Sequence, residues 1–209
     1  MAEQKIVIID TGCANISSVK FALGRLSNNV VVSDDKAVIK QADKVLLPGV
    51  GSASAAMASI AQKELIEFIQ ELQQPVLGIC LGMQLMTTQS EEIPGSHIVE
   101  NKIDNIACLD LIPTTVSRMK TGNLVLPHMG WNQINVEGDN PLFANIADGS
   151  YFYFVHSFCA PISDYTLASC NYGQAFSAAI GKDNFYGVQF HPERSGTAGA
   201  QLLKNFIEM

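Results

Sequence analysis

The sequence predicts a mixed α/β domain: a mostly parallel sheet with helices on both faces. Three observations carry that prediction. Short apolar runs alternate with helix-like stretches through the first half, and β-type segments dominate the second. The chain's 209 residues, 47% hydrophobic and 16% charged, suit one well-formed core. Strand–helix alternation makes crossovers that lay helices over both faces of parallel strands, and active sites in such sheets sit beyond the C-terminal strand ends.

Taken in order, Lys5–Ile9 reads as a buried strand, and Ile16–Leu26 as a helix with apolar residues at Ile16, Val19, Leu23 and Leu26. Val30–Ser33 is a second strand and Lys44–Leu47 a third, ended by Pro48-Gly49. From Ala53 to about Gln73 the series Met57, Ile60, Leu65, Ile66, Ile69, Leu72 has helical spacing, and Pro75 stops it. Pro75–Ile79 is the fourth strand, and Gly82–Thr88 starts another helix. The polar stretch Glu91–Asn101, with Pro94 and Gly95, reads as a surface loop. Strands follow at Trp131–Val136, Tyr151–Val155, Thr166–Cys170, Ala175–Ile180 and Phe185–Gln189, and a helix over about Thr197–Phe206 closes the order. No internal repeat, low-complexity tract or linker divides the chain, so a single domain over residues 1–209 is expected.

Composition narrows the function. The formal net charge is −7 and no Lys/Arg cluster occurs, which argues against nucleic-acid binding by phosphate neutralisation. No apolar run approaches the ~20 residues that span a bilayer, so no membrane partner is expected. Five cysteines, Cys13, Cys80, Cys108, Cys159 and Cys170, are scattered without CxxC spacing, a poor disulfide framework and a poor zinc site. A soluble, acidic, cytoplasmic protein with reduced thiols, without metal or cofactor, is the expectation. The glycine-rich dinucleotide fingerprint fails at Ser54, and no Walker motif occurs.

The sharpest local signal is Gly78-Ile79-Cys80-Leu81-Gly82. A strand running directly into a helix needs a tight turn, and glycines two residues either side let the backbones pass while the central side chain points outward. The helix N-terminus favours a thiolate, and the Leu81 N–H can donate to an oxyanion formed by attack of Cys80. A thiolate nucleophile needs a base and a group that orients it. Of the four histidines, His191 follows a strand, and Glu193 lies two residues on across a stiffening proline, able to curl back to one ring nitrogen. His97 falls in the polar loop and reads as solvated; His128 and His156 stay open. Pro48-Gly49-Val50-Gly51 ends on the same sheet edge as Cys80 and can aim a backbone N–H at an oxyanion, although alone it reads as a plain strand-to-helix turn.

Cys80 in its elbow, His191-Pro192-Glu193 and the Pro-Gly-Val-Gly loop, in this order, resemble the class I glutamine amidotransferases. Gly78–Gln84, Leu126-Pro-His-Met-Gly-Trp-Asn132, Tyr153-Phe-Val-His-Ser157 and Val188–Glu193 extend the resemblance over nearly the whole chain. The Pro-His-Met-Gly-Trp-Asn block narrows it to the branch that feeds ammonia to a cyclase of histidine biosynthesis. The first loop departs from the common pattern: Asp10-Thr-Gly-Cys-Ala-Asn15 lacks the bulkier residue after Asp10 and the glycine before Asn15 that many members carry.

The resemblance implies a flavodoxin-like class I glutamine amidotransferase fold and hydrolysis of glutamine to glutamate and ammonia. Cys80, His191 and Glu193 would form the triad, with Leu81 and the Val50-Gly51 segment as the oxyanion hole. Gln84 and Glu92 match positions that hold the substrate's α-amino and α-carboxylate end, and Ser157 and Phe158 match a segment lining the same pocket. It implies a stand-alone subunit forming a heterodimer with a (β/α)₈-barrel cyclase, with Asn15, His128, Trp131, Asn132 and Tyr153 toward that partner. His128 and His156 are expected to be structural or interfacial. The rivals are the glutaminases of pyridoxal phosphate or anthranilate synthase, which are not expected to carry the Pro-His-Met-Gly-Trp-Asn block, and a non-catalytic regulatory module.

Overall fold

The computed structural model describes residues 4–12, 16–92 and 105–209. In chain order its elements are β1 (Ile6–Ile9), α1 (Ile16–Leu23), β2 (Val30–Ser33), α2 (Lys36–Lys40), β3 (Lys44–Gly49), α3 (Ala53–Gln62), α4 (Ile66–Gln70), β4 (Val76–Cys80) and α5 (Leu81–Leu85). There follow β5 (Thr87–Ser90), β6 (Ile106–Ala107), β7 (Ile112–Arg118), β8 (His128–Gln133), β9 (Asn135–Val136), β10 (Tyr151–His156), β11 (Phe158–Cys159), β12 (Thr166–Asn171), β13 (Ala175–Lys182), β14 (Phe185–Val188) and α6 (Gly196–Glu208). Short 3₁₀ turns at Pro141–Phe143 and Pro192–Arg194 complete the set.

Among the described residues the main sheet has eight strands in the order β2-β1-β3-β4-β14-β13-β12-β9. β2 through β14 run parallel, and β13, β12 and β9 extend the sheet antiparallel. The apolar runs form central strands because both of their faces are covered. In β1, Ile6 and Ile8 pack with Val19 and Leu23 of α1 and with Leu202, Leu203 and Phe206 of α6. Val7 and Ile9 point the other way, into a second core with Ala56 and Ile60 of α3, Ile69 of α4 and Met83 of α5. Helices therefore cover both faces, as expected. The smaller sheets, β10-β8 and β11-β7-β5-β6, lie outside this ladder.

Several elements differ from the sequence expectation. The helix expected from Ala53 to about Gln73 breaks after Gln62, where Glu64 takes φ 54°, and resumes as α4. The helix expected over Gly82–Thr88 stops at Leu85, and the β-branched pair Thr87-Thr88 enters β5. The segment Trp131–Val136 is two strands divided at Ile134, β8 pairing with β10 and β9 with β12. α1 ends at Leu23, with Leu26 in the turn beyond it. The elements α2, β5, β6, β7 and β11 lie outside the sequence expectation. Of the expected loop Glu91–Asn101, only Glu91 and Glu92 lie among the described residues.

Candidate active site

β4 passes into α5 with no residue between them, and Cys80 is both the last strand residue and the N-cap of the helix. Its backbone sits at φ 54°, ψ −109°, a region that costs a non-glycine residue on the order of 1–3 kcal/mol. The flanking glycines make the junction possible. A Cβ on Gly82 would stand 1.7 Å from the Leu47 carbonyl oxygen, and one on Gly78 would stand 2.7 Å from the backbone of Gly82. Among the described residues, the Cys80 thiol meets the Val155 carbonyl oxygen at 3.9 Å and the Gln189 Nε2 at 3.8 Å.

β14 lies parallel to β4 with Val188 opposite Ile79, so the chain beyond it emerges beside Cys80. The turn that follows is clamped onto β10. The His191 N–H donates to Tyr153 O at 2.9 Å, Tyr153 N–H donates to Ser195 Oγ at 2.9 Å, and that hydroxyl donates to His191 O at 2.6 Å. α6 packs directly beneath: a Cβ on Gly199 would come within 2.0 Å of Pro192 O. So held, His191 Nδ1 meets Glu193 Oε1 at 2.8 Å. His191 Nε2 is buried and has no hydrogen-bond partner among the described residues. Burial works against a charged imidazole here, but the hydrogen bond to Glu193 and the charge interaction with Glu193 and Cys80 outweigh it and raise the His191 pKa.

These groups open onto a cleft of about 300 Å³, lined among the described residues by the elbow, the Val50-Gly51 turn, Glu92, Val155–Phe158 and His191, Glu193 and Arg194. That volume suits a small amino-acid substrate. Glu92 reaches across to α3, where Ala53 N–H donates to its Oε2 at 3.2 Å. Burial pushes the Glu92 pKa up against that hydrogen bond, so its carboxylate profits from a cation. Gln84 is buried, its Nε2 donating to Phe158 O at 3.0 Å and to Gln189 Oε1 at 2.9 Å. Both amide hydrogens are thus committed to the protein, and Oε1 is what Gln84 has to offer a substrate: an acceptor.

A family profile described as glutamine amidotransferase class-I matches residues 7–209. The chain belongs to the class I glutamine amidotransferase family. Among its curated relatives, imidazole glycerol phosphate synthase subunit HisH of Shewanella oneidensis is 58% identical over 215 residues, covering 99% of this chain and 97% of the relative. The protein of the same name from Vibrio parahaemolyticus is 52% identical over 210 residues and covers both chains completely. Solved structures agree in fold: a GMP synthase subunit of Thermoplasma acidophilum has a TM-score of 0.74 at 17% identity over 100% of this chain and 94% of that one. PurLQS of Thermotoga maritima gives 0.69 at 19% identity, covering 99% and 98%.

In this amidotransferase the expected triad, Val50, Gly51, Leu81, Gln84, Glu92, Ser157 and Phe158 all line the one cleft. The residues expected to face a partner divide. Trp131 is 55% exposed, and its outward neighbour across the β8–β10 pairing is Tyr153, whose ring carries the Arg194 guanidinium at 4.3 Å. His128 lies on the opposite face of β8, only 2% exposed and stacked between Tyr172 and Phe154, and Asn132 shares that face. Asn15 lies outside the described residues, as does His97. Sequence reading missed Val155, His156, Arg194 and Gln189 as groups at the cleft or the thiol. Strand register would have found Gln189, since it extends the β14–β4 ladder to the position beside Cys80.

Proposed function

We propose that the chain hydrolyses glutamine through Cys80, His191 and Glu193, and supplies the ammonia to a (β/α)₈-barrel cyclase as the glutaminase subunit of an imidazole glycerol phosphate synthase. The assignment to that synthase rests on full-length identity of 52–58% to relatives that carry its name. The chemistry rests on one observation: a cysteine at a strained elbow and a buried His–Glu pair open onto the same small cleft.

In this reading the Cys80 sulfur attacks the side-chain carbonyl carbon of glutamine as His191 Nε2 takes the thiol proton. Glu193, 2.8 Å from Nδ1, keeps the other ring nitrogen protonated and steadies the imidazolium. The oxyanion takes the Leu81 N–H at the start of α5 and an N–H of the Val50-Gly51 turn. Collapse breaks the C–N bond, and the His191 proton leaves with the nitrogen as ammonia. Water, deprotonated by the same ring, then hydrolyses the glutamyl thioester to glutamate and restores the thiol. Glu92 and the Gln84 Oε1 are acceptors that suit the substrate's α-ammonium, and the Ser157-Phe158 segment walls the pocket.

Trp131 and Tyr153 form the outward face that meets the cyclase, and ammonia passes to it without reaching bulk water. A reaction that depends on a free thiol fits the cytoplasm, and Cys80, Cys108, Cys159 and Cys170 are all unbridged. Replacing the nucleophile tests the assignment: Cys80→Ala is expected to lower glutamate release by at least about 10³-fold with the fold intact. Glutamate release at the parent rate overturns it. Glutamine-dependent cyclisation on mixing with the barrel protein tests the partner, and cyclisation that runs only on added ammonium salts counts against it.

A further inference from the structure

A line of hydrogen bonds that the reaction does not use runs from β8 to the nucleophile, and its polarity is fixed by a single group. The Phe158 carbonyl can only accept, so His156 Nδ1, 2.8 Å away, carries a hydrogen. Burial pushes the pKa of His156 down to about 3, so its ring is neutral at pH 7 and its Nε2 is a bare acceptor. His128 Nδ1, 3.0 Å from that nitrogen, must then be the donor. His128, held between Tyr172 and Phe154 and pushed down by burial to about 4, is neutral as well, leaving its own Nε2 to accept. Asn132 Nδ2 fills that role at 3.3 Å and donates also to Asn171 O at 3.0 Å.

On the other side of Phe158 the line reaches the thiol. The same carbonyl accepts from Gln84 Nε2, whose second hydrogen goes to Gln189 Oε1. Gln189 is fully buried, and with its oxygen so engaged its Nε2 is the end that faces the Cys80 sulfur. Turning Gln84 over would set its oxygen against the Phe158 carbonyl and the Gln189 Oε1, and turning Gln189 over would set donor against donor and an oxygen lone pair against the sulfur.

We propose that His156, backed by His128, is a positioning residue: it holds the Phe158 carbonyl where Gln84 is anchored, and through Gln84 it fixes the Gln189 N–H on the Cys80 sulfur. The proposal rests on Cys80 being the nucleophile. It gives the two buried histidines a purpose that neither proton transfer nor partner contact supplies.

The test has two arms. With ¹⁵N-labelled histidine, the imidazole shifts of the full chain are expected to show His128 and His156 as neutral Nδ1–H tautomers from pH 6 to pH 8, assigned with His128→Asn and His156→Asn. An Nε2–H tautomer or an imidazolium at His156 overturns the proposal. The second arm reads the thiol without glutamine, as the rate of Cys80 alkylation by iodoacetamide mapped by mass spectrometry. His156→Asn keeps a donor where Nδ1 stood and is expected to stay within about twofold of the parent, whereas His156→Leu slows alkylation about tenfold, the worth of one hydrogen bond. Equal rates in the two variants overturn it. Neither arm requires turnover, so a failed relay is told apart from a failed glutaminase assignment, which Cys80→Ala decides.

Discussion

At Cys80 the backbone and the chemistry pull in different directions. The proposed reaction requires a thiol side chain, yet φ 54° is a conformation that glycine adopts at far smaller cost. The strain has a measurable signature: Cys80→Gly is expected to be more stable than Cys80→Ala by about 1 kcal/mol, read from urea midpoints, although glycine ordinarily destabilises. Equal midpoints would mean that the elbow stores nothing. The residue that holds the elbow is more sensitive still. Gly82→Ala puts a methyl 1.7 Å from the Leu47 oxygen and must push β3 from α5, so a loss of at least about 3 kcal/mol is expected. At this scale the sequence was highly legible, because the glycine spacing around Cys80 and the His-Pro-Glu turn are local signals. Gln189 was not, because its partners Gln84 and Cys80 are brought to it by the sheet.

The antiparallel β8–β10 pair carries the two histidines whose pKa burial lowers. Unfolded, both rings take up protons as the pH falls through about 6.5; folded, His128 waits until about 4 and His156 until about 3. Below about 6.5 the unfolded chain therefore binds more protons, and stability is lost as the pH falls toward 3. His191 does not blur this window, since a raised pKa gives a contribution already complete below 6.5 and lost only at higher pH. The denaturation midpoint is expected to fall between pH 7 and pH 5, and to fall less in His128→Asn; an equal fall in both would place the titration elsewhere. Elements of this kind explain what sequence reading missed. Parallel strands announce themselves as unbroken apolar runs, but β5 is Thr-Thr-Gln-Ser and β7 contains a proline, neither with an apolar pattern of its own. The break between α3 and α4 falls at Lys63-Glu64-Leu65, with no glycine or proline to mark it.

Over the whole molecule, the parallel half of the sheet builds the site, and the β8–β10 pair shows Met129, Trp131 and Tyr151 to solvent. Trp131 is the sole tryptophan of the chain, so its emission reports on that face alone. Docking of the barrel protein is expected to shift the emission to shorter wavelength, and Trp131→Ala to weaken association by at least about tenfold. An unchanged spectrum at saturating partner would put the contact on another face. The alternation that predicted the fold also predicted which sheet edge holds the site, but the strand read from the sequence begins at Trp131, so the shared motif gave no sign that His128, three residues earlier on the same strand, points to the opposite face. The ladder between β4 and β14 has one more implication. Cys80 and His191 lie at and just beyond the ends of adjacent strands in fixed register, while the chain between those strands, residues 81–184, leaves that ladder at Cys80 and rejoins it at Phe185. The spacing of sulfur and imidazole is thus set by that ladder and by the β10 clamp on the His191 turn, not by the length of the rest of the detour. Insertions that leave β10 in place can therefore remodel the outer surface of the detour while Cys80 and His191 keep their gauge.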